Sequence, residues 1–350
     1  MSRVLTADPV GSAAEWDALV SSLPFMSALQ GWGWGEAKRL TGWTPHRLAI
    51  SKGGVLIAAA QVLRRDLAPG VSTLLCPRGP ALRSLGDLPY AGQAVRRWAR
   101  ASDVALKVEP PVPLVEDAPI PGRLFDDFEW SSPVQPEHTV LLDLSRTEPE
   151  MLKAMHPMAR RNTKTALKLG VTAGEEEDFD AFWGLFEETN RRAKLLSRTR
   201  AYYEAVYREG RAYGGRAAIV TARLDGVPLA TGMVLGLGKE LNYLYGGSTR
   251  VSHEDARDPK ASNAFYWGMM RWGRENGFTR LDLFGIPRKL EATKHSFGVY
   301  QFKERLGGEK VHYPAYELSL NAFSPFVNAA LRARMLWLNY RTRGTVQDVL

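Results

Sequence analysis

The residues best suited to chemistry in this chain are cations and tyrosines that fall at the ends of predicted strands and helices: Lys38, Arg78, Arg198, Tyr202, Tyr243, Tyr245 and Lys303. Ammonium and guanidinium groups with phenols beside them suit a ligand carrying a diphosphate, together with a carbonyl to be polarised. Lys303 lies on a short predicted helix, next to Phe302 and just before the turn Gly307-Gly308. That helix follows Leu281 and Leu283, whose alternation gives way at Gly285, as on a strand leaving a core. Tyr243 and Tyr245 stand two apart on a predicted strand and are expected to share its face. Arg198 and Tyr202, four apart, are expected to share a helix face.

Other machineries are missing. The sequence has no G-x-S-x-G elbow, no P-loop and no G-x-G-x-x-G opening a helix after a strand. Its single cysteine, Cys76, excludes an internal disulfide and any multi-cysteine metal site. The six histidines offer no H-x-x-x-H pair, so neither metal nor cofactor is expected. A net charge of +8, mostly from arginine, and a pI near 9.5 point to an anionic partner: nucleic acid, a nucleotide-linked substrate or a membrane surface. No charged head precedes an apolar run, and no stretch approaches about 20 apolar residues, so a soluble cytoplasmic protein is expected.

The 350 residues are long for one core, which predicts two domains. Residues 12–20 read as a helix capped by Ser12, and 30–40 as a second. A hairpin of 44–50 and 55–64, a strand over 71–76, a helix over 91–101 and strands over 104–109 and 138–144 follow. From Arg146 a second unit is expected: one basic helix over 148–170, an acidic run at 175–180 opening the next helix, and a helix over 199–209. Strands over 217–224, 227–237 and 240–246, a polar loop at 255–259 and a helix over 264–276 lead to the Lys303 region. The two halves share a layout, each with a strand, a tryptophan-bearing helix (Trp98, Trp272) and another strand, which suggests duplication of an α/β unit. The tail, 323–343, reads as a basic helix with Leu331, Trp337 and Tyr340 on an apolar side. Its expected role is packing on the first domain, with membrane or RNA contact as the lesser alternative.

Trp34-Gly-Glu-Ala-Lys38, Cys76-Pro-Arg-Gly-Pro80, Arg160-Arg-Asn162 with Gly170-Val171, and Phe284-Gly-Ile286 with Phe302-Lys-Glu-Arg-Leu-Gly-Gly308 occur together in that order. In this the chain resembles the Fem peptidyltransferases, or FemABX family, from about Ser27 to Leu320. The resemblance implies a mixed α/β (α+β) protein of two tandem acetyltransferase-like (GNAT) domains: 1–145 plus 315–350, and 146–314. It also implies transfer of an amino acid from aminoacyl-tRNA to an amine on the stem peptide of a peptidoglycan precursor, by a monomer. Lys303 matches the catalytic lysine of the family, with Phe302 beside it. Lys38 and Arg198 match positions holding the diphosphate of a UDP-linked precursor, and Arg78, Tyr202, Tyr243 and Tyr245 line the same cleft. Arg160, Arg161, Lys164 and Lys168 form the expected tRNA-binding patch.

Some positions depart from the family pattern: Met158 stands where a lysine is common, and Glu109 where an aspartate is. Members acting on lipid-linked precursors often carry a coiled-coil arm, for which 182–217 leaves no room, so a compact type using the UDP-linked precursor is expected. An aminoacyl ester is already activated, so no nucleophilic residue or metal is needed. The amine must be neutral, against a free pKa near about 10.4, and Lys303 would stabilise the oxyanion. Residues 246–252 lack the R/Q-x-x-G-x-G/A acyl-CoA loop, which argues against a CoA-dependent N-acyltransferase. A non-catalytic tRNA- or nucleotide-binding protein is the remaining alternative.

Overall fold

The structure, a computed structural model, describes residues 4–115, 118–193, 195, 197–249, 258–287 and 295–343. Two mixed sheets carry it. The first runs in the order Leu5–Pro9, Thr44–Lys52, Val55–Ala68, Val71–Cys76, Asp103–Val108, Ala315–Ser319, Phe128–Ser131 and Arg123–Leu124, with Ala81–Leu82 branching from Val55–Ala68. The second runs Thr172–Glu176, Arg216–Leu224, Val227–Leu237, Glu240–Ser248, Arg280–Asp282, His138–Asp143, Glu309–His312 and Leu114–Val115.

The repeat expected from the sequence is present in the topology. In each sheet the described pairs are antiparallel except one: Val71–Cys76 with Asp103–Val108, and Glu240–Ser248 with Arg280–Asp282. A parallel pair needs a crossover, and each is supplied by a helix, Leu88–Trp98 or Ala261–Glu275. The halves are also interlocked. His138–Asp143, assigned to the first unit from the sequence, instead sits inside the second sheet, paired to Arg280–Asp282 and Glu309–His312. The reason is register: Val140 and Leu142 are buried in the apolar cluster of the second sheet. Ala315–Ser319 returns the chain to the first sheet, beside Asp103–Val108.

Apolar residues gather in three clusters. One lies under the first sheet and the Leu88–Trp98 helix, and one under the second sheet and the Ala261–Glu275 helix. The third is shared: Trp16, Leu29 and Trp34 from the first half pack with Tyr202, Ile219 and Met233 from the second. Here the Trp32–Lys38 helix crosses Arg200–Ala212 so closely that a Cβ on Gly33 would run into the Glu209 carbonyl. Glycine at 33 is therefore a packing requirement of the joint between the halves.

Several expectations are corrected. The basic helix over 148–170 is two helices, Glu148–Ala154 and Pro157–Lys168, because proline cannot continue the first and is well placed to start the second. Only the second half of the acidic run opens the helix. Glu175 and Glu176 end the strand Thr172–Glu176, where Arg223 grips Glu176. Asp178 accepts from the Ala181 N–H at 2.9 Å, and Asp180 lies in the first turn of the helix that begins at Phe179. The strand near Leu281 is only Arg280–Asp282, since Phe284 and Gly285 take left-handed conformations. Residues 255–257 of the expected loop and 250–252 of the loop where a CoA motif was sought lie outside the described residues. So do the side chains of Leu331 and Tyr340, while Trp337 of the Ser324–Arg343 helix is 54% exposed.

Gly33→Ala is expected to separate the two helices and destabilise the protein by about 1–3 kcal/mol. Gly184→Ala, in a helix with nothing within 4 Å of a new Cβ, should stabilise it by about 0.5–1 kcal/mol. Thermal melting of both variants checks the pair; equal melting temperatures would show that the joint tolerates a side chain.

Candidate active site

Lys303 is a buried cation at the centre of the site. It lies on the His295–Glu304 helix and is only 6% exposed. Its Nζ donates to the carbonyl of Leu283 at 2.8 Å, to that of Phe284, and to that of Gly285 at 3.0 Å. Three successive carbonyls converge because Phe284 and Gly285 have φ of 52° and 43°. A left-handed Phe is costly, and charge-assisted hydrogen bonds from the ammonium offset that cost. Burial pulls the Lys303 ammonium down to about 8, and the Asp282 carboxylate opposes the shift. Behind the helix, a Cβ on Gly307 would meet Ala154 backbone and one on Gly308 the Leu141 carbonyl, so the double glycine lets the helix end lie against both.

Arg78 reaches the same place from the first sheet. The Pro77-Arg78-Gly79-Pro80 turn docks on Gln30, which is fully buried, donates to the Pro77 carbonyl at 2.7 Å and accepts from the Gln61 N–H at 2.8 Å. Any Cβ on Gly79 would collide with the Gln30 side chain. Arg78 is buried, donates to the Pro136 carbonyl at 2.8 Å, lies 3.9 Å from Asp282 Oδ2 and stacks 4.0 Å from the Tyr313 ring centroid. Asp282 accepts from Thr139 Oγ1 at 2.5 Å and from the Phe284 N–H at 2.8 Å. Both bonds are to Oδ1, which thereby anchors the carbonyl turn.

A second group surrounds Lys38. Its Nζ donates to the Tyr202 hydroxyl at 2.6 Å and lies 4.0 Å from the Trp34 ring centroid. Burial first, and then the charge of Arg198, pull Lys38 down to about 7, while Glu109 opposes the shift. Arg198 is exposed, with its guanidinium 5.3 Å from the Tyr202 ring. The two meet as expected but not through a helix face, since Arg198 precedes the Arg200–Ala212 helix. Tyr245 completes the group, its hydroxyl 3.4 Å from that of Tyr202.

Tyr243 is not with Tyr245. A bulge in Glu240–Ser248 pairs Met233 with Tyr245 but Val234 with Tyr243, so the extra residue sends the two rings to opposite faces. Tyr245 packs on Tyr203 and Phe186, and Tyr243 on Phe265 and Tyr266. Tyr243 instead joins the Lys303 group, its ring centroid 5.6 Å from Nζ, with its phenol pushed up to about 12 by burial. Phe302 is half-buried against Tyr266, 5.1 Å between centroids, so it supports the wall.

The sequence-selected residues thus form two adjoining groups, Lys303–Arg78–Tyr243 and Lys38–Arg198–Tyr202–Tyr245, bridged by Glu109. That carboxylate is buried and accepts from the N–H groups of Arg78, Val134 and Gln135 at 3.1, 2.6 and 2.8 Å. Arg160, Arg161, Lys164 and Lys168 are elsewhere, lining one open depression on the Pro157–Lys168 helix. Its start is tied to the end of the Lys303 helix by the His156 N–H donating to the Arg305 carbonyl at 3.0 Å. Gln30, Thr139 and Tyr313 were missed because nothing local marks them. Cross-strand register likewise brings His312 to His138, with Glu137 beside them, although no spacing in the sequence links the histidines. Cys76 is buried, with its thiol pushed up by desolvation, and is not a nucleophile here.

The FemAB family model matches residues 123–226 and 224–315. The chain is 22% identical, over 375 aligned positions, to the Lipid II:glycine glycyltransferase of Staphylococcus aureus (strain MRSA252), covering 84% of this chain and 88% of that protein. Among solved structures, FemX superposes with a TM-score of 0.76 at 19% identity, over 92% of this chain and all of that one. A tandem GNAT protein from the clavulanic acid biosynthesis pathway superposes with a TM-score of 0.50 at 14% identity, over 91% of this chain and 99% of that one. The fold is therefore two tandem GNAT-like units. Only residues 194–199 separate the helices Phe179–Ala193 and Arg200–Ala212, and no coiled-coil arm is present among the described residues.

Lys38 is charged below about pH 7 and neutral above it, whereas an arginine stays charged throughout. If Lys38 holds an anionic ligand, affinity is present below that value and falls as pH rises through it. A diphosphate-containing ligand should lose several-fold in affinity between pH 6 and 8. Lys38→Met should bind weakly with no such slope, and Arg198→Met weakly with the slope retained. Binding titrations across pH check this; a slope surviving in Lys38→Met would assign it to another group.

Proposed function

The chain belongs to the FemAB family of aminoacyltransferases, and from that premise we propose that it transfers an amino acid from aminoacyl-tRNA to an amine on the stem peptide of a peptidoglycan precursor. The family match over 123–315, which contains Lys303 and its carbonyl turn, carries the reading. UDP-linked and lipid-linked precursors share a diphosphate, and Lys38 and Arg198 are the cations assigned to it. Tyr202 and Tyr245 hold Lys38 in place, and Arg78 orients the turn that holds Lys303. We assign the precursor to the unit built on the first sheet and the tRNA to the unit built on the second, with the boundary following sheet membership.

In the reaction, the precursor's amine nitrogen attacks the ester carbonyl carbon. The new C–N bond forms, the bond to the terminal ribose oxygen of the tRNA breaks, and the amine's proton ends on that oxygen. We route the proton directly between the reacting partners. Negative charge builds on the carbonyl oxygen in between, and the Lys303 charge stabilises it. Of the three acceptors now held by Nζ, the Gly285 carbonyl is the outermost, so it is the one the oxyanion replaces.

Lys303→Met is expected to lower single-turnover transfer from charged tRNA by about 100-fold or more, an effect of the size found for a lost oxyanion donor. Melting curves run beside it separate this from unfolding, because the variant also leaves buried carbonyls without a donor. In the wild type, transfer should rise with pH as the acceptor amine deprotonates and level off above about 8, where Lys303 loses its charge; Lys303→Met should keep rising through that value. Ribonuclease should abolish transfer; product formed without tRNA would overturn the reading.

The depression on Pro157–Lys168 is assigned to the tRNA. Counterion release then requires affinity to fall steeply with salt. Reversing Arg161, Lys164 and Lys168 to glutamate should weaken tRNA binding by at least tenfold and flatten its salt slope. Unchanged affinity would place the tRNA elsewhere.

A further inference from the structure

The Ser324–Arg343 helix leaves the first sheet and turns an apolar stripe outward. Its root is fixed: Ser324 is buried, and Asn321 Nδ2 donates to the carbonyls of Ala101 and Asp103 at 3.3 and 3.2 Å. Beyond the root, Phe326 is 75% exposed and Trp337 54%, with Phe323 at 69% just before the helix. Ala330 and Ala333 are exposed as well. Positions 326, 330, 333 and 337 follow the 4-3-4 spacing of a single helix face, a strip about 16 Å long at 1.5 Å per residue. Leu336 widens it.

The segment that carries the strip has charge of one sign. Between Phe323 and Arg343 the sequence has four arginines and no acidic residue. The Arg341 guanidinium stands 5.3 Å from the Trp337 ring centroid. Exposed Phe and Trp beside arginine is the composition of a helix lying in a lipid–water interface, where rings enter the acyl boundary and cations meet anionic headgroups. No described helix is long and apolar enough to cross a membrane. Association with a second copy through this face would bring together two helices of positive net charge, and an RNA would not cover an apolar strip of Phe, Ala and Leu.

We propose that this helix docks the protein on the surface of an anionic phospholipid bilayer, and so gives the site access to the lipid-linked form of the precursor. The second half of the proposal rests on the function proposed above; the docking itself does not. The helix is continuous with a strand of the precursor-side sheet, so docking would set that sheet at the membrane and leave the Pro157–Lys168 depression to a soluble tRNA. The expectation of a soluble, UDP-linked substrate rested on the missing arm, and this helix supplies another route to a lipid.

The test uses the full chain and two kinds of vesicle, phosphatidylglycerol with phosphatidylcholine, and phosphatidylcholine alone. Sedimentation is expected to show binding to the first and at least tenfold less to the second. The double variant Phe326→Glu/Trp337→Glu should lose that binding while keeping its melting temperature and its transfer to a soluble UDP-linked precursor. On lipid-linked precursor in vesicles it should be at least tenfold slower than the wild type. Wild-type protein that ignores anionic vesicles, or a variant that binds them equally, overturns the proposal. So does a wild-type dimer, seen by light scattering, that the variant dissolves, or a variant whose only loss is in tRNA affinity. If neither precursor form is used, the proposed function fails while the vesicle result still decides the docking.

Discussion

A buried ammonium has to be surrounded by acceptors, and much of this site follows from supplying them to Lys303. Three consecutive carbonyls are brought to Nζ only because the chain at Phe284 and Gly285 leaves the strand in left-handed conformations. Those conformations end Arg280–Asp282 after three residues, where a simple strand would have continued. Asp282 then fixes the turn from below by accepting from the Phe284 N–H, and Thr139 and Arg78 fix Asp282. The positive charge, the broken strand and the buried carboxylate are therefore one arrangement. Removing Asp282's charge would make Lys303 harder to keep protonated.

This arrangement also joins the two sheets. Arg78 comes from a turn of the first sheet, and its partners, the Pro136 carbonyl and Asp282, lead into and lie in the second. The turn is held by Gln30, whose side chain fits only because residue 79 has no Cβ. On the other side of Glu109, Lys38 from the first half meets Tyr202 from the second, over a core that both halves share. A cleft built from residues of both units tolerates little relative motion. The close helix crossing at Gly33 belongs to the same joint.

What the sequence made legible is what depends on local pattern. Long apolar runs such as Val227–Leu237 are legible at their observed bounds, and the helix bearing Lys303 from its neighbours alone. The duplicated layout was visible too, since each parallel pair needs its own crossover helix. What stayed hidden depends on register and return. Nothing at Leu244 announces a bulge, yet one extra residue there moves Tyr243 from the Lys38 group to the Lys303 group. Nothing near His138 says that it will pair with a strand more than 140 positions later and so belong to the second sheet. Short contiguous motifs mark Lys38, Arg78, Phe302 and Lys303. Their partners Thr139, Tyr313 and Gln30 are single residues without a motif.

The two lysines of the cleft differ in a way that suits different tasks. Both are depressed by burial, but Lys38, at about 7, is the more depressed and has Arg198 as a like-charged neighbour. Lys303, at about 8, has Asp282 as a counter-charge and three carbonyls as acceptors. Glu109 offsets the depression of Lys38 only in part, and a diphosphate arriving there would raise its pKa further and fix its charge. A group already supplied with acceptors gains less from a resting ligand. It gains most when a stronger, more negative acceptor forms, as a carbonyl oxygen does on becoming an oxyanion. On the proposed function, ground-state binding falls to the Lys38–Arg198 end of the cleft and transition-state stabilisation to the Lys303 end.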